Sequence, residues 1–315
     1  IERTPLRGTY RGYEIVTMPP PSSGGIALLQ MLGMIEPFDV KALGFRSAAQ
    51  IHLFTEVMRR AFRDRAEYLG DPDFVKVPVA GLLDRAYIAR LMQNFDPAKA
   101  TPSAGMAPGG PAGWVAPVET GETTHFSVID AAGNAVSNTY TLNGAFGSCV
   151  TIPGTGVLMN NEMDDFTTKL GEKNLYGLIQ GPANSIAPGK RPLSSMTPTF
   201  VLKDGRLVLA TGSPGGSTII TVVFNVITNV LDHGMTIRQA VDAPRIHHQW
   251  MPDALIYERN SVSPDTVALL KAKGQHLEER DNLIISDAET VAIDWQTGLR
   301  QGASDIRKPD SKTVG

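Results

Sequence analysis

Thr123-Thr124-His125-Phe126-Ser127-Val128-Ile129-Asp130 runs through Ala131-Ala132-Gly133 into Asn134-Ala135-Val136-Ser137-Asn138-Thr139-Tyr140-Thr141-Leu142. Both arms read as strands. The three-residue loop suits a hairpin whose last loop residue is left-handed, a conformation Gly133 adopts without strain. That loop pairs Asp130 with Asn134 and, counted outward, sets Thr123 opposite Thr141. Two hydroxyls then share one face at the open end of the hairpin. Everything rests on register, because a one-residue slip turns one strand's side chains to the opposite face.

Ahead of the hairpin, residues 96–122 interleave Pro97, Pro102, Pro108, Pro111 and Pro117 with Gly105, Gly109, Gly110, Gly113 and Gly121. Such a segment holds neither a helix nor a central strand, and by composition it is a linker. Before it the chain reads mostly helical after a short strand, Tyr13 to Met18. Pro19-Pro20-Pro21-Ser22-Ser23-Gly24-Gly25 is a loop that caps an apolar run from Ile26. A second helix begins near Ser47, with Ile51, Phe54, Met58, Ala61, Phe62 and Arg65 at three- and four-residue steps, and ends around Gly70-Asp71-Pro72.

Beyond the hairpin, Phe200 to Lys203 turns at Asp204-Gly205 into Arg206 to Thr211. Gly212-Ser213-Pro214-Gly215-Gly216-Ser217 then leads into a buried helix from about Thr218. Adjacent glycines between a strand and a helix expose N–H groups that favour an anion, or else make a flexible turn. No Gly-Lys-Ser/Thr follows, so this is not a Walker A loop. Thr211 rather than Gly precedes Ser213 by two, so it is not a nucleophile elbow either. Asn160-Asn161-Glu162-Met163-Asp164-Asp165-Phe166 is either a solvated turn or a site for a cation or ammonium group. Pro192-Leu193-Ser194-Ser195-Met196-Thr197-Pro198 places paired hydroxyls in a rigid loop.

Length and composition narrow the function. The 315 residues allow one large domain or two ordinary ones. With 29 Lys and Arg against 32 Asp and Glu the net charge is −3, which points away from nucleic acid. The single cysteine, Cys149, excludes an internal disulfide and a cysteine-rich zinc module. None of the six histidines has His-Glu-x-x-His spacing, and His247 and His248 would point opposite ways on a strand, so no metal is expected. Histidine as the base of a serine triad stays open, with no motif to single out the serine. Residues 219–231, the most apolar stretch, are too few and too interrupted to span a membrane. Ile1, with no initiator Met and no apolar signal core, reads as a cut end.

The hairpin sequence resembles the start of the small subunit of the γ-glutamyltranspeptidases. Asn160 to Phe166, Lys190-Arg191-Pro192-Leu193-Ser194-Ser195-Met196 and Gly212 to Ser217 follow in that family's order. Ala243-Pro244-Arg245, His247-His248-Gln249-Trp250 and Gly302-Ala303-Ser304-Asp305 continue it. Upstream, Met18 to Gly25 and Tyr68-Leu69-Gly70-Asp71-Pro72 resemble the end of the large subunit. The resemblance implies an α+β chain with the four-layer αββα sandwich of an N-terminal-nucleophile hydrolase. It implies a division into residues 1–122, the tail of a large subunit ending in the linker, and 123–315, the small catalytic subunit. The two would form a processed heterodimer, periplasmic or secreted, with no cofactor.

By the same resemblance the precursor cuts itself at Glu122–Thr123. Thr123 becomes the nucleophile, Thr141 its hydroxyl partner, and Gly215 and Gly216 the oxyanion donors. Asn143, Glu162 and Asp165 would hold the donor's α-ammonium, Ser194 and Ser195 its α-carboxylate, and Tyr176, within a lid loop at residues 169–189, would gate the site. The implied activity is glutathione hydrolysis and γ-glutamyl transfer to water, an amino acid or a dipeptide. A threonine hydroxyl needs an adjacent base, and the α-amine freed by cleavage, with a reference pKa of about 7.7–8.0, supplies one. By the resemblance the family's α-carboxylate arginine belongs to a part of the large subunit ahead of Ile1, and no arginine of this sequence can be assigned its role. A glutaryl or cephalosporin-type acylase and an unprocessed, non-catalytic homologue or fragment are the alternatives; the ammonium-holding set argues against the first.

Overall fold

The computed structural model describes residues 1–106, 123–280 and 286–314, so most of the linker and the Glu122–Thr123 bond lie outside the described residues. Its strands are β1 (Leu6–Tyr10), β2 (Tyr13–Thr17), β3 (Thr123–Ile129), β4 (Ala135–Thr141), β5 (Thr199–Lys203) and β6 (Arg206–Gly212). β7 (Ile246–His247), β8 (Leu255–Glu258), β9 (Leu277–Arg280), β10 (Glu289–Ile293) and β11 (Arg300–Ser304) follow. A six-stranded antiparallel sheet runs in the order β1-β2-β5-β6-β10-β11, and β7, β8 and β9 make a smaller sheet.

Two of its hairpins turn on residue pairs with positive φ. Asp204-Gly205 was legible as such a turn, with φ 51° and 74°. Arg11-Gly12 does the same job at 51° and 75° and brings in β1, a strand the sequence reading lacks. Gly8 hid it, since glycine weakens a strand. The reason for Gly8 is packing: a Cβ there would lie 2.5 Å from Leu29 of the helix Gly24–Ile35.

The faces of the large sheet separate by the two-residue period of a strand. Ile15, Val201 and Leu209 are fully buried against the helices Gly24–Ile35, Ala48–Tyr68 and Thr218–Leu231. Phe200, Ala210 and Val291, cross-strand partners of one another, face the other way and meet Ile129 and Ala135 of the β3–β4 hairpin. The hairpin has the expected register, Thr123 opposite Thr141. Ser137 Oγ donates to the Thr211 carbonyl at 3.1 Å and Ser127 Oγ to that of Glu289 at 3.2 Å. Between them the His125 ring bonds Thr139 and Ser127 and lies so close to Gly212 that a Cβ there would come within 2.1 Å.

The 21-residue helix Ala48–Tyr68 is capped by Ser47, whose side chain accepts from the Gln50 N–H. Its buried charges tie it to other elements. Arg59 bonds Glu56, Ser103 and Asp253, and Asp253 accepts from the Ser103 N–H at 2.8 Å, which pins the chain where it enters the linker. His248 bonds Asp253 at 3.1 Å, while the adjacent His247 bonds Thr221 and Gln249, so the two point apart as expected. Among the described residues no cluster of three metal-ligating side chains occurs, and no helix is long and apolar enough to cross a membrane.

Burial holds three histidines neutral. His125 and His247 are each pushed down to about 4 by desolvation, and His248 to about 4 by desolvation and then the Arg59 charge. The unfolded chain therefore binds more protons than the folded one between about pH 6.5 and 4, and stability falls as pH drops through that window. The expected slope is about 1.4 kcal/mol per pH unit for each histidine. Urea unfolding at pH 7 and pH 5 measures it; equal midpoints would contradict the burial of these rings.

Candidate active site

The strand register brings Thr123 Oγ1 within 3.2 Å of Thr141 Oγ1, to which it donates a hydrogen bond. Thr123 is buried, and Thr141 Oγ1 also accepts from the Asn143 N–H at 2.8 Å. That second bond requires Asn143 to turn back on the strand end, with φ at 72°. Its side chain donates to the Asn161 carbonyl at 3.3 Å, joining the hairpin end to the acidic loop.

Thr123, Thr141, Asn143, Asp165, Tyr176, Ser194, Ser195 and Gly216 line one cleft. Of the residues singled out from sequence, Gly215 and Glu162 are not among its walls. Gly215 adjoins Gly216, and both have positive φ, 115° and 56°, so the turn presents consecutive N–H groups ahead of the helix Thr218–Leu231. Among the described residues neither N–H is given to a protein acceptor. A Cβ on Gly216 would come 2.2 Å from the Tyr176 ring, which therefore lies directly over this turn. Tyr176 donates its hydroxyl to the Asn143 carbonyl at 2.8 Å, and its own carbonyl accepts from Gln249.

The acids of the 3₁₀ turn Glu162–Asp165 divide their work. Asp164 accepts from the Leu175 N–H at 2.6 Å and anchors the loop that carries Tyr176. Asp165 faces the cleft and shares a hydrogen bond with Glu162. Desolvation first, and then the Glu162 charge, push Asp165 up to about 8 against the pull of Arg65; Glu162 is raised by its own burial. Two carboxyls this close keep one proton between them near neutral pH.

Opposite, Ser194 and Ser195 are fixed by the loop at residues 19–24. Ser23 donates both its N–H and its hydroxyl to the Ser194 carbonyl, at 2.8 and 2.6 Å. Ser23 stands at the cap position of the helix Gly24–Ile35, but its side chain makes no cap and serves this junction instead. The cleft also holds residues that sequence reasoning passed over: Arg65 at its wall, with Gln180 and Ser23 bonded to it. The clue to Arg65 was a cation at a position in step with the apolar face of its helix.

The gamma-glutamyltranspeptidase family model matches residues 1–315. The chain belongs to the gamma-glutamyltranspeptidase family. It is 49% identical over 315 residues to the glutathione hydrolase proenzyme of Escherichia coli K12, covering all of this chain and 53% of that protein. It thus spans about half the length of the curated relatives it matches. A crystal structure of an acivicin-inhibited gamma-glutamyltranspeptidase is 48% identical with a TM-score of 0.57, over 59% of this chain and 98% of its own. The cephalosporin acylase of Bacillus halodurans is 25% identical with a TM-score of 0.77, over 96% of this chain and 51% of its own. An α+β fold shared with both kinds of enzyme is therefore established.

The shared proton is directly measurable. Carboxyl NMR of the labelled protein is expected to show the Glu162–Asp165 pair holding a proton well above the ordinary carboxylate range, and Glu162→Gln is expected to lower the Asp165 midpoint by removing the like charge. A midpoint in the ordinary carboxylate range in the unsubstituted protein would remove the acid pair.

Proposed function

We propose that this chain carries the catalytic part of a γ-glutamyl transferase and hydrolase that acts on glutathione and other γ-glutamyl amides. The observation that carries it is the Thr123–Thr141 hydroxyl pair in the same cleft as Asp165 and the Ser194-Ser195 pair. An amino-acid end has an ammonium and a carboxylate, and the cleft offers an acid on one wall and hydroxyl donors on another.

Self-cleavage at Glu122–Thr123 precedes turnover, because only a free α-amine has the basicity to take the Thr123 proton. The freed Thr123 Oγ1 attacks the γ-carbonyl of the donor, and its proton passes to the α-amine directly or through water. The oxyanion is held by the Gly215 and Gly216 N–H groups; losing one such donor costs on the order of 10²–10³ in rate. The protonated base then gives its proton to the leaving amine as the γ-glutamyl ester forms on Thr123. Water, an amino acid or a dipeptide attacks that ester and restores the hydroxyl. Asn143, Glu162 and Asp165 hold the donor's α-ammonium, and Ser194 and Ser195 its α-carboxylate. Tyr176 covers the oxyanion turn as a gate.

In this reading residues 1–122 and 123–315 become two subunits of a heterodimer. Supporting that division, the acivicin-inhibited chain aligns over almost its whole length with a share of this chain close to that of residues 123–315. The helices packed on one face of the large sheet and the hairpin on the other support an αββα sandwich. The second reading is an acylase taking glutaryl side chains, supported by the fold shared with the cephalosporin acylase. Asp165 separates the two, because a glutaryl group has no α-ammonium.

Thr123→Ala is expected to abolish both self-cleavage, read by denaturing electrophoresis, and hydrolysis of γ-glutamyl anilide; retained turnover would mean a different nucleophile. Asp165→Asn is expected to raise KM for γ-glutamyl anilide roughly 10- to 100-fold, the range for a hydrogen bond to a charged group, and to leave glutaryl anilide within a few-fold. Comparable losses on both donors favour the acylase. Because Asp165, whose affinity for a proton is raised by burial and by Glu162, must lose that proton to pair the ammonium, KM of the unsubstituted enzyme should rise as pH falls from 8 to 6, by up to about tenfold per unit. A flat KM between pH 6 and 8 would contradict this.

A further inference from the structure

Arg65 is buried at 2% exposure near the end of the helix Ala48–Tyr68, and it lines the cleft. Its guanidinium donates Nε to Ser23 Oγ at 2.9 Å, Nη1 to Gln180 Oε1 at 3.2 Å and Nη2 to Ser195 Oγ at 3.2 Å. All three partners are neutral. No carboxylate of the described residues forms an ion pair with it, although Asp165 is close enough to act on its charge. Burying a cation among neutral partners is costly, so the position calls for a purpose beyond packing.

The direction of each bond supplies one. A guanidinium only donates, so Ser195 Oγ must accept from it. No acceptor for the Ser195 hydroxyl proton occurs among the described residues, which leaves that proton for a ligand in the cleft. Ser23 accepts from Arg65 and donates its own hydroxyl hydrogen bond to the Ser194 carbonyl, so the same guanidinium braces the neighbouring residue. On its other side Gln180 accepts from Arg65 and donates Nε2 to the Asp165 carbonyl at 2.9 Å. One buried side chain thus links both walls of the cleft.

We infer that Arg65 is a positioning residue for the donor's α-carboxylate, orienting the Ser195 hydroxyl toward it. The inference rests on the γ-glutamyl reading above and deepens it. Arg65 acts through Ser195 and contributes selectivity for donors that carry the carboxylate.

The test compares two anilides in the full-length enzyme: γ-glutamyl, and 4-aminobutyryl, which keeps the ammonium and lacks the α-carboxylate. Arg65→Met is expected to raise KM for the first by about tenfold or more, with a smaller change in kcat, and for the second by less than about threefold. In a Ser195→Ala background, Arg65→Met should add less than about threefold to the γ-glutamyl KM, because the route through the hydroxyl is already broken. Equal losses on both anilides, or full additivity with Ser195→Ala, overturn the inference. If Arg65→Met does not mature, Arg65→Lys decides. It keeps the charge but not the three-way fork, and should still raise the γ-glutamyl KM several-fold while sparing 4-aminobutyryl; an unchanged γ-glutamyl KM overturns the inference. Failure of the parent reading looks different: the unsubstituted enzyme would then prefer glutaryl anilide to γ-glutamyl anilide whatever stands at 65.

Discussion

The His125 ring lying on the bare backbone of Gly212 sets how closely the β3–β4 hairpin approaches the large sheet. No other residue type at 212 leaves room for it. The contact matters beyond packing because His125 and Thr123 share a face of β3, two residues apart. Gly212 in turn begins the turn that ends in the helix Thr218–Leu231. One close approach therefore delivers a hydroxyl from the hairpin and N–H groups from the turn to the same cleft. The ring stays neutral through burial, so it acts as a spacer with two satisfied nitrogens.

The cleft is built against electrostatic cost. A carboxyl pair shares a proton, and a guanidinium sits among neutral groups, where each isolated charge would cost several kcal/mol. The surrounding core bears that cost: the helix Thr218–Leu231 is apolar and buried along almost its whole length, and the helix Gly24–Ile35 similarly so. Rigid backing lets the polar groups keep orientations that water would otherwise scramble.

What was legible in the sequence follows from how local the cause was. The β3–β4 register came from loop length and one glycine. The Asp204-Gly205 turn and the helix after Ser217 came from punctuation and apolar runs. The site residues came from a resemblance of motifs, and the structure places most of them around one cleft, with Glu162 reaching it only through Asp165. What escaped depended on distant partners. β1 needs Leu29 to explain Gly8; Ser23 bonds Ser194, some 170 residues away; and Arg65 has partners on three loops. β7, β8 and β9 are short, β9 pairs with β8 across the intervening helix Pro264–Ala272, and β10 pairs with β6 some 80 residues earlier, which no window of sequence displays.

β2 and β5 lie side by side in the large sheet, paired from Glu14 with Leu202 to Thr17 with Thr199. They come from opposite sides of residue 122. A cut at the expected bond would sever the covalent chain while leaving this seam, and the core beneath it, whole. The two products would be continuous in every sense except the peptide link, sharing one sheet and one apolar interior. Pulling them apart would mean opening the sheet between its second and third strands and exposing the interior beneath it. Holding such a pair together would be the same apolar burial that holds the single chain together.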